Sequence, residues 1–156
     1  MLQVARRADV APGTVLNHFP SSDDLAGAVA DHLMGELEVP GPEIFAGLET
    51  VGDRIRRLAR ELAEFYRRSE PWYRIRVREG GRIPAWADAE QRFFVGIGGL
   101  MAAALGELAD DPRIELATST LLDPGVLSGL CAHGLTPPEA GEFAADILLA
   151  WLPTER

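Results

Sequence analysis

The side chains equipped for catalysis are few and scattered. His18, His32 and His133 are the three histidines, and they stand far apart without the spacing of metal ligands, so no metal site is expected. Cys131, the one cysteine, has no base partner in view and reads as a buried structural thiol. The run GIGG at 96–99 matches neither nucleotide-binding fingerprint and follows no strand signal. No serine, histidine and aspartate fall into a nucleophile–base pattern. The expected protein is therefore not an enzyme. It carries no cofactor and works by binding.

The chain has 156 residues, enough for one domain with a substantial core or a small domain joined to a larger one. Its apolar fraction, 47%, is that of an ordinary globular protein. No apolar run reads as long enough to span a membrane, and MLQVARRADV lacks the apolar centre of a signal peptide. The single cysteine fits a reducing cytoplasm, the expected location. A formal net charge of -9 excludes nucleic-acid binding driven by the overall field. Every basic residue is Arg, and many fall between Asp53 and Arg82. Arg-only usage with abundant Ala and Gly reads as the codon bias of a GC-rich genome. The Arg run itself reads as a solvated helix face, with anion binding as the alternative.

These residues must be positioned by helices, because periodicity is helical almost throughout and the expected fold class is all-α. Val4, Ala5 and Ala8 form the apolar edge of a short first helix, and Asp9–Val10–Ala11 reads as a turn. Pro12 suits a first helical position, and that helix runs to about Phe19. Ser21 or Ser22 caps the next helix, with Asp23 and Asp24 in its first turn and Leu25, Ala28, Val29, His32 and Leu33 on one face. A Pro/Gly break at 39–43 marks the boundary between segments 1–39 and 43–156. Val51, Ile55, Leu58, Ala59, Leu62, Phe65 and Tyr66 then mark an amphipathic helix. Pro71 is expected to open a shorter helix through Glu79, ended by Gly80–Gly81. Further helices are expected from Pro84 to Leu108, from Pro112 to the Asp123–Pro124 pair, and from Gly125 to His133. Thr136–Pro137–Pro138–Glu139 reads as the cap, first proline and first-turn acid of a last helix, stopped by Pro153.

That last helix is apolar over most of its surface: Ala140, Phe143, Ala144, Ile147, Leu148 and Trp151 share a face, widened by Leu149 and Leu152. Phe143, Ile147, Leu148 and Trp151 are accordingly expected at a homodimer interface.

The stretch VARRADVAPGTVLNHFPSSDDLAGAVADHL resembles the DNA-binding segment of the TetR family of transcriptional regulators. Val4–Ala5, Ala8, Val10, Pro12–Gly13–Thr14, Val15, His18–Phe19, Ser21 and Asp23–Asp24–Leu25 fall on the family pattern without a gap. The helical remainder is similar to the family's ligand-binding and dimerisation domain. The resemblance implies a regulator, acting as a repressor, that binds double-stranded operator DNA as a homodimer and is released by a small-molecule effector. It places Thr14 and Asn17 on the groove side of a recognition helix, with Asn suited to adenine. It sets His18, Leu16 and Ser22 towards the phosphates, the last two in slots where the family carries Tyr and Lys. Val10, Val15, Phe19 and Leu25 are implied as core. A pocket is implied among Phe65, Tyr66, Trp72, Tyr73, Trp86, Phe93, Phe94 and Met101, suited to an apolar or planar ligand.

Set against the family, Met1 falls inside the second helix, so segment 1–39 lacks the family's first helix. A misassigned start site or a processed product is the expectation, and Val4, Ala8 and Val15 are expected to lack part of their cover. Asp9 replaces a turn glycine, tolerated because Asp enters the left-handed region more readily than most residues. Ala11 replaces a serine cap, a loss of about 1 kcal/mol. Leu16 and Ser22 remove two phosphate contacts, which weakens affinity and flattens its salt dependence. The alternative is a degenerate member that keeps the dimeric, ligand-binding part and does not bind DNA.

Overall fold

The computed structural model describes residues 1–79 and 84–152, with the side chains of 33, 34, 72, 75–79, 84–86, 88 and 89 also outside the described set. The fold is all-α. Its helices are α1 (Leu2–Arg7), α2 (Pro12–His18), α3 (Ser22–Glu36), α4 (Val51–Glu79), α5 (Pro84–Leu105), α6 (Pro112–Leu121), α7 (Pro124–Ala132) and α8 (Pro137–Trp151). Short 3-10 turns at Pro42–Phe45 and Gly106–Asp110 join them.

Start signals explain most boundaries. Pro112 and Pro124 open α6 and α7 behind Asp111 and Asp123, whose carboxylates accept from the N–H of Arg113 at 2.8 Å and of Gly125 at 2.7 Å. Before α8, Glu139 accepts from both the N–H and the hydroxyl of Thr136, at 2.8 and 2.6 Å. Ser21, not Ser22, caps α3: Asp24 N–H donates to its hydroxyl at 3.1 Å, and Asp24 accepts the Ser21 N–H at 2.9 Å. Gly106, at φ 60, ends α5 at Leu105 rather than Leu108, since a left-handed residue cannot continue the helix.

Pro71 does not open a new helix. It lies inside the continuous α4, where it is exposed. The Arg67 carbonyl that its missing N–H leaves unpaired belongs to another exposed residue, so water can satisfy it. Gly80–Gly81 and Pro153, read as stops, lie outside the described residues.

α4 is the central element, packed against α5, α7 and α8. Ile55, Leu58, Ala59 and Leu62 are fully buried along it, and they meet Ile97, Ala104 and Leu105 of α5, Leu127 of α7 and Leu148 of α8 in one core. Two arginines fix the frame around that core. Arg54 donates to the Ala104 carbonyl at 3.1 Å and the Glu49 carbonyl at 2.8 Å, tying the start of α4 to the end of α5. Arg56 reaches Asp146 and Glu142 on α8, and those hydrogen bonds, Asp146 first, raise its pKa above the ordinary arginine value. α3 seats on α5, joined by Asp31 and Arg92 at 2.8 Å. Its inward side carries Ala30 rather than Val29 and His32, which are exposed.

Two expectations about apolar segments change. By length and composition, Glu90–Asp110 is apolar enough to cross a membrane, although the sequence reads as having no such run. One side of this stretch, with Ile97, Leu100, Met101, Ala104 and Leu105, is packed into the core. In α8 the single expected interface face divides in two. Ala140, Ala144 and Leu148 are buried inside the chain, while Phe143, Ile147 and Trp151 are 49%, 43% and 53% exposed. Leu148 is therefore a core residue and not an interface residue, because its position on the helix faces α4.

Candidate functional site

α1 and α2 pack on each other through Ala5 and Val15, which are 1% and 6% exposed. The turn between them depends on Asp9, the one non-glycine residue at positive φ (54°) among those described. Asp enters this region at modest cost. The Val10 N–H donates to the Ala5 carbonyl at 3.0 Å and the Ala8 N–H to the Val4 carbonyl at 2.9 Å, closing the end of α1. Pro12 then stands at the start of α2, behind Ala11, which offers no side-chain cap.

Burying Val15 turns the opposite side of α2 outward. Thr14, Asn17 and His18 occupy positions i, i+3 and i+4 and are all exposed, so they share one face. Leu16 lies on the flank, 48% exposed. Ser22 is exposed at the first turn of α3. Arg6 and Arg7 are exposed in the last turn of α1, and an open cleft of about 460 Å³ runs beside them, also lined by Gln3 and Val4. Of the sequence-predicted DNA residues, Thr14, Asn17 and His18 share one side of a short helix, while Leu16 lies on its flank and Ser22 on α3.

The expected core around this unit is incomplete. Phe19 and Leu25 are half-buried, but Val10 is 41% exposed and belongs to the surface. Val4 and Leu2 are 39% and 66% exposed, and Ala8 is exposed as well. Two short helices cannot bury both their mutual contact and their outer edges.

The aromatic candidates form a second group. Phe65 stacks on Phe93 with centroids 5.6 Å apart, meets Tyr66 edge-on at 5.6 Å, and Phe93 meets Phe94 edge-on at 5.5 Å. Phe65, Tyr66 and Met101 are buried in the main core, with Phe93 packed against it. Tyr73 is half-buried on the same helix, and the side chains of Trp72 and Trp86 lie outside the described residues.

Several described arginines of the run are paired with neighbouring carboxylates. Arg57 pairs with Glu61, Arg60 with Glu142, Arg67 with Glu64 and Arg74 with Glu70. A cleft of about 270 Å³ beside Pro42–Phe45 is lined by Arg56, Arg57 and Arg60 together with Glu43 and Asp53, which balance much of its charge. Cys131 is half-buried; burial, and then the charge of Glu64, push its thiol up, away from a reactive thiolate. No three His, Cys, Asp or Glu side chains among the described residues gather into a metal site.

The reciprocal Ser21–Asp24 cap, where the sequence left Ser21 and Ser22 open, has the signal of a serine followed three residues later by an acid. The chain matches no family model, no characterised protein and no solved structure.

Proposed function

We propose that this chain is a TetR-like transcriptional regulator of the cytoplasm, a homodimer whose α1–turn–α2 unit meets operator DNA and whose α4–α8 part takes a small-molecule effector. The observation that carries the reading is the shared exposed face of Thr14, Asn17 and His18 on a helix that follows a left-handed turn at Asp9. Asn17 suits bidentate pairing to adenine, and Thr14 suits a base edge or methyl group beside it. His18, Arg6 and Arg7 are exposed and of a chemistry suited to phosphate. Effector binding acts by favouring one spacing of the two recognition helices over another. The uncovered Phe143, Ile147 and Trp151 on α8 support a second copy of the chain as partner.

The test is fluorescence anisotropy of a labelled duplex from upstream of the chain's own gene, at low and moderate salt. It is run with this chain and with a version extended upstream by a helix. Specific binding by either form, lost in Asn17→Ala, supports the regulator. Absence of specific binding by both overturns it.

One observation favours the alternative, a dimeric effector-binding protein without DNA recognition. Leu2, Val4 and Val10 are exposed beside a helix that carries the apolar Leu16 in place of a phosphate contact. Effector-dependent stabilisation without DNA binding distinguishes it.

A further inference from the structure

Apart from the α2 face and the aromatic group, the chain has a cleft of about 270 Å³ between the 3-10 turn Pro42–Phe45 and the start of α4. One wall is apolar, with Ile44 packed against the main core and Leu48 half-buried. The chain leading into that wall is stiff: Gly41 stands between two prolines, extended at φ -107, and Pro42 opens the turn. The other wall is one face of α4. Asp53, Arg56, Arg57 and Arg60 occupy positions i, i+3, i+4 and i+7 and all line the cleft.

These charges do not neutralise one another. Asp53 and Arg57 stand at i and i+4 with the acid first, the order that favours an ion pair along a helix. Instead the Thr50 hydroxyl donates to the Asp53 carboxylate at 2.6 Å, and Arg57 turns the other way, to Glu61 at 3.1 Å. Arg56 reaches Glu142 and Asp146 on α8, and Arg60 reaches Glu142. Glu43, from the turn, accepts the Gly41 N–H at 3.2 Å. Among the described residues, no arginine of the cleft pairs with a carboxylate of the cleft. A guanidinium has more N–H groups than one carboxylate can engage, so Arg57 and Arg60 keep donors for an occupant.

We propose that this cleft binds a small zwitterion with an apolar tail, of the α-amino acid class. Its carboxylate meets Arg57 and Arg60, its ammonium meets Asp53 and Glu43, and its tail lies against Ile44 and Leu48. The lining selects for both charges on one molecule. A plain anion would face Asp53 and Glu43 unpaired, and a plain cation would face three guanidiniums. The volume is just under the roughly 300–1,000 Å³ of pockets for drug-sized ligands, which suits a smaller molecule. The contacts of Arg57 with Glu61 and of Arg60 with Glu142 order the two guanidiniums in advance, so less freedom is lost on binding. The site shares no residue with the α2 face, and it stands whether or not the chain binds DNA.

Gly41 positions one of the acids. A Cβ there would collide with the Glu43 carboxylate, the far end of a flexible side chain. Gly41→Ala therefore displaces that carboxylate and leaves the main chain in place.

Amide chemical shifts of the full chain, followed at neutral pH and constant ionic strength, test the site. The probes are L-leucine, isocaproate, which lacks its ammonium, and isoamylamine, which lacks its carboxylate. Leucine is expected to give saturable shifts within residues 41–60. Each analogue is expected to bind about tenfold or more weakly, the loss of one charge-assisted contact. Arg57→Gln, Glu43→Gln and Gly41→Ala are each expected to weaken leucine by a similar factor, with shifts far from the cleft unchanged because the fold is retained. Absence of saturable shifts with leucine up to its solubility overturns the proposal. Isocaproate binding as tightly as leucine makes the cleft a carboxylate site, and isoamylamine doing so makes it a cation site. Either result overturns the zwitterion. Leucine binding that survives both Arg57→Gln and Glu43→Gln, or that maps to the aromatic group around Phe93, overturns the cleft as its site.

Discussion

Gly141 on α8 lies against the backbone of Ala59 on α4 so closely that a Cβ on Gly141 would stand 2.6 Å from the Ala59 carbonyl oxygen. The obstacle is main chain, which has no rotamer in which to retreat. Gly141→Ala must therefore push the two helices apart along a contact flanked by Ala140, Ala144 and Ala145, all buried. Overpacking of this kind costs about 1–3 kcal/mol. Urea unfolding of the variant should show a midpoint lowered accordingly, and an unchanged midpoint would mean that α4 and α8 do not approach this closely.

Gly98 presents the opposite case. A Cβ there meets nothing within 4 Å, and the residue is exposed on the flank of α5. Gly98→Ala should raise stability by roughly 0.5–1 kcal/mol, the usual gain of alanine over glycine inside a helix. Thermal unfolding reads the sign directly, and destabilisation would contradict the open environment.

Thr118 is 1% exposed on α6, and its hydroxyl oxygen has no hydrogen-bond partner among the described residues. Ile114 and Leu122, one turn to either side, belong to the apolar core. An unpaired buried hydroxyl carries a desolvation penalty of about 1–3 kcal/mol, so the near-isosteric Thr118→Val should stabilise the fold by an amount of that order. Loss of stability instead would show that the hydroxyl is satisfied in solution.

Helix starts were legible because their chemistry is local. Asp111, Asp123 and Thr136, each followed by proline, announce α6, α7 and α8 within a few residues. Asp9–Val10–Ala11 was legible as a turn, while the left-handed conformation of Asp9 was implied by the resemblance, where it stands in for a turn glycine. Helix faces were less so. In α8, Phe143, Ile147 and Trp151 are more apolar than Ala140, Gly141 and Ala144, yet the small residues lie inside and the large ones outside. The reason is tertiary: α4 approaches closely at Gly141 and leaves room for Leu148 further along, and hydrophobicity alone does not register distance. Pro71 misled because its effect depends on whether the carbonyl one turn back faces water. The grouping of Thr14, Asn17 and His18 was legible from the spacing and the resemblance, whereas the exposure of Val10 depends on what covers the α1–α2 turn.

The cap of α8 makes stability depend on pH. Hydrogen bonds from the Thr136 hydroxyl, and then from its backbone N–H, hold the Glu139 carboxyl below the ordinary glutamate value. A group whose folded pKa is depressed stabilises the fold above its unfolded pKa and loses that contribution as pH falls through the folded value. Wild type should therefore be more stable than Glu139→Gln at neutral pH, with the difference shrinking as the solution is acidified below the usual glutamate range. Urea midpoints of both proteins across that range check the sign. A difference that grew on acidification would exclude the cap.

On the DNA side, Asn17 and Arg7 should fail in different ways. Asn17 shares the outward face of α2 with Thr14 and His18, whereas Arg7 stands in the last turn of α1. Removing a bidentate base contact costs about 1–3 kcal/mol of discrimination, so Asn17→Ala should lower affinity for the operator towards that for unrelated duplex and leave the salt slope intact. Removing a phosphate contact weakens binding to all sequences alike and reduces the slope of log K against log salt by about one. Arg7→Ala should show that second pattern. Anisotropy titrations of both variants on operator and unrelated duplex, at several salt concentrations, separate the two. If Asn17→Ala leaves the ratio of the two affinities unchanged, α2 does not read base edges.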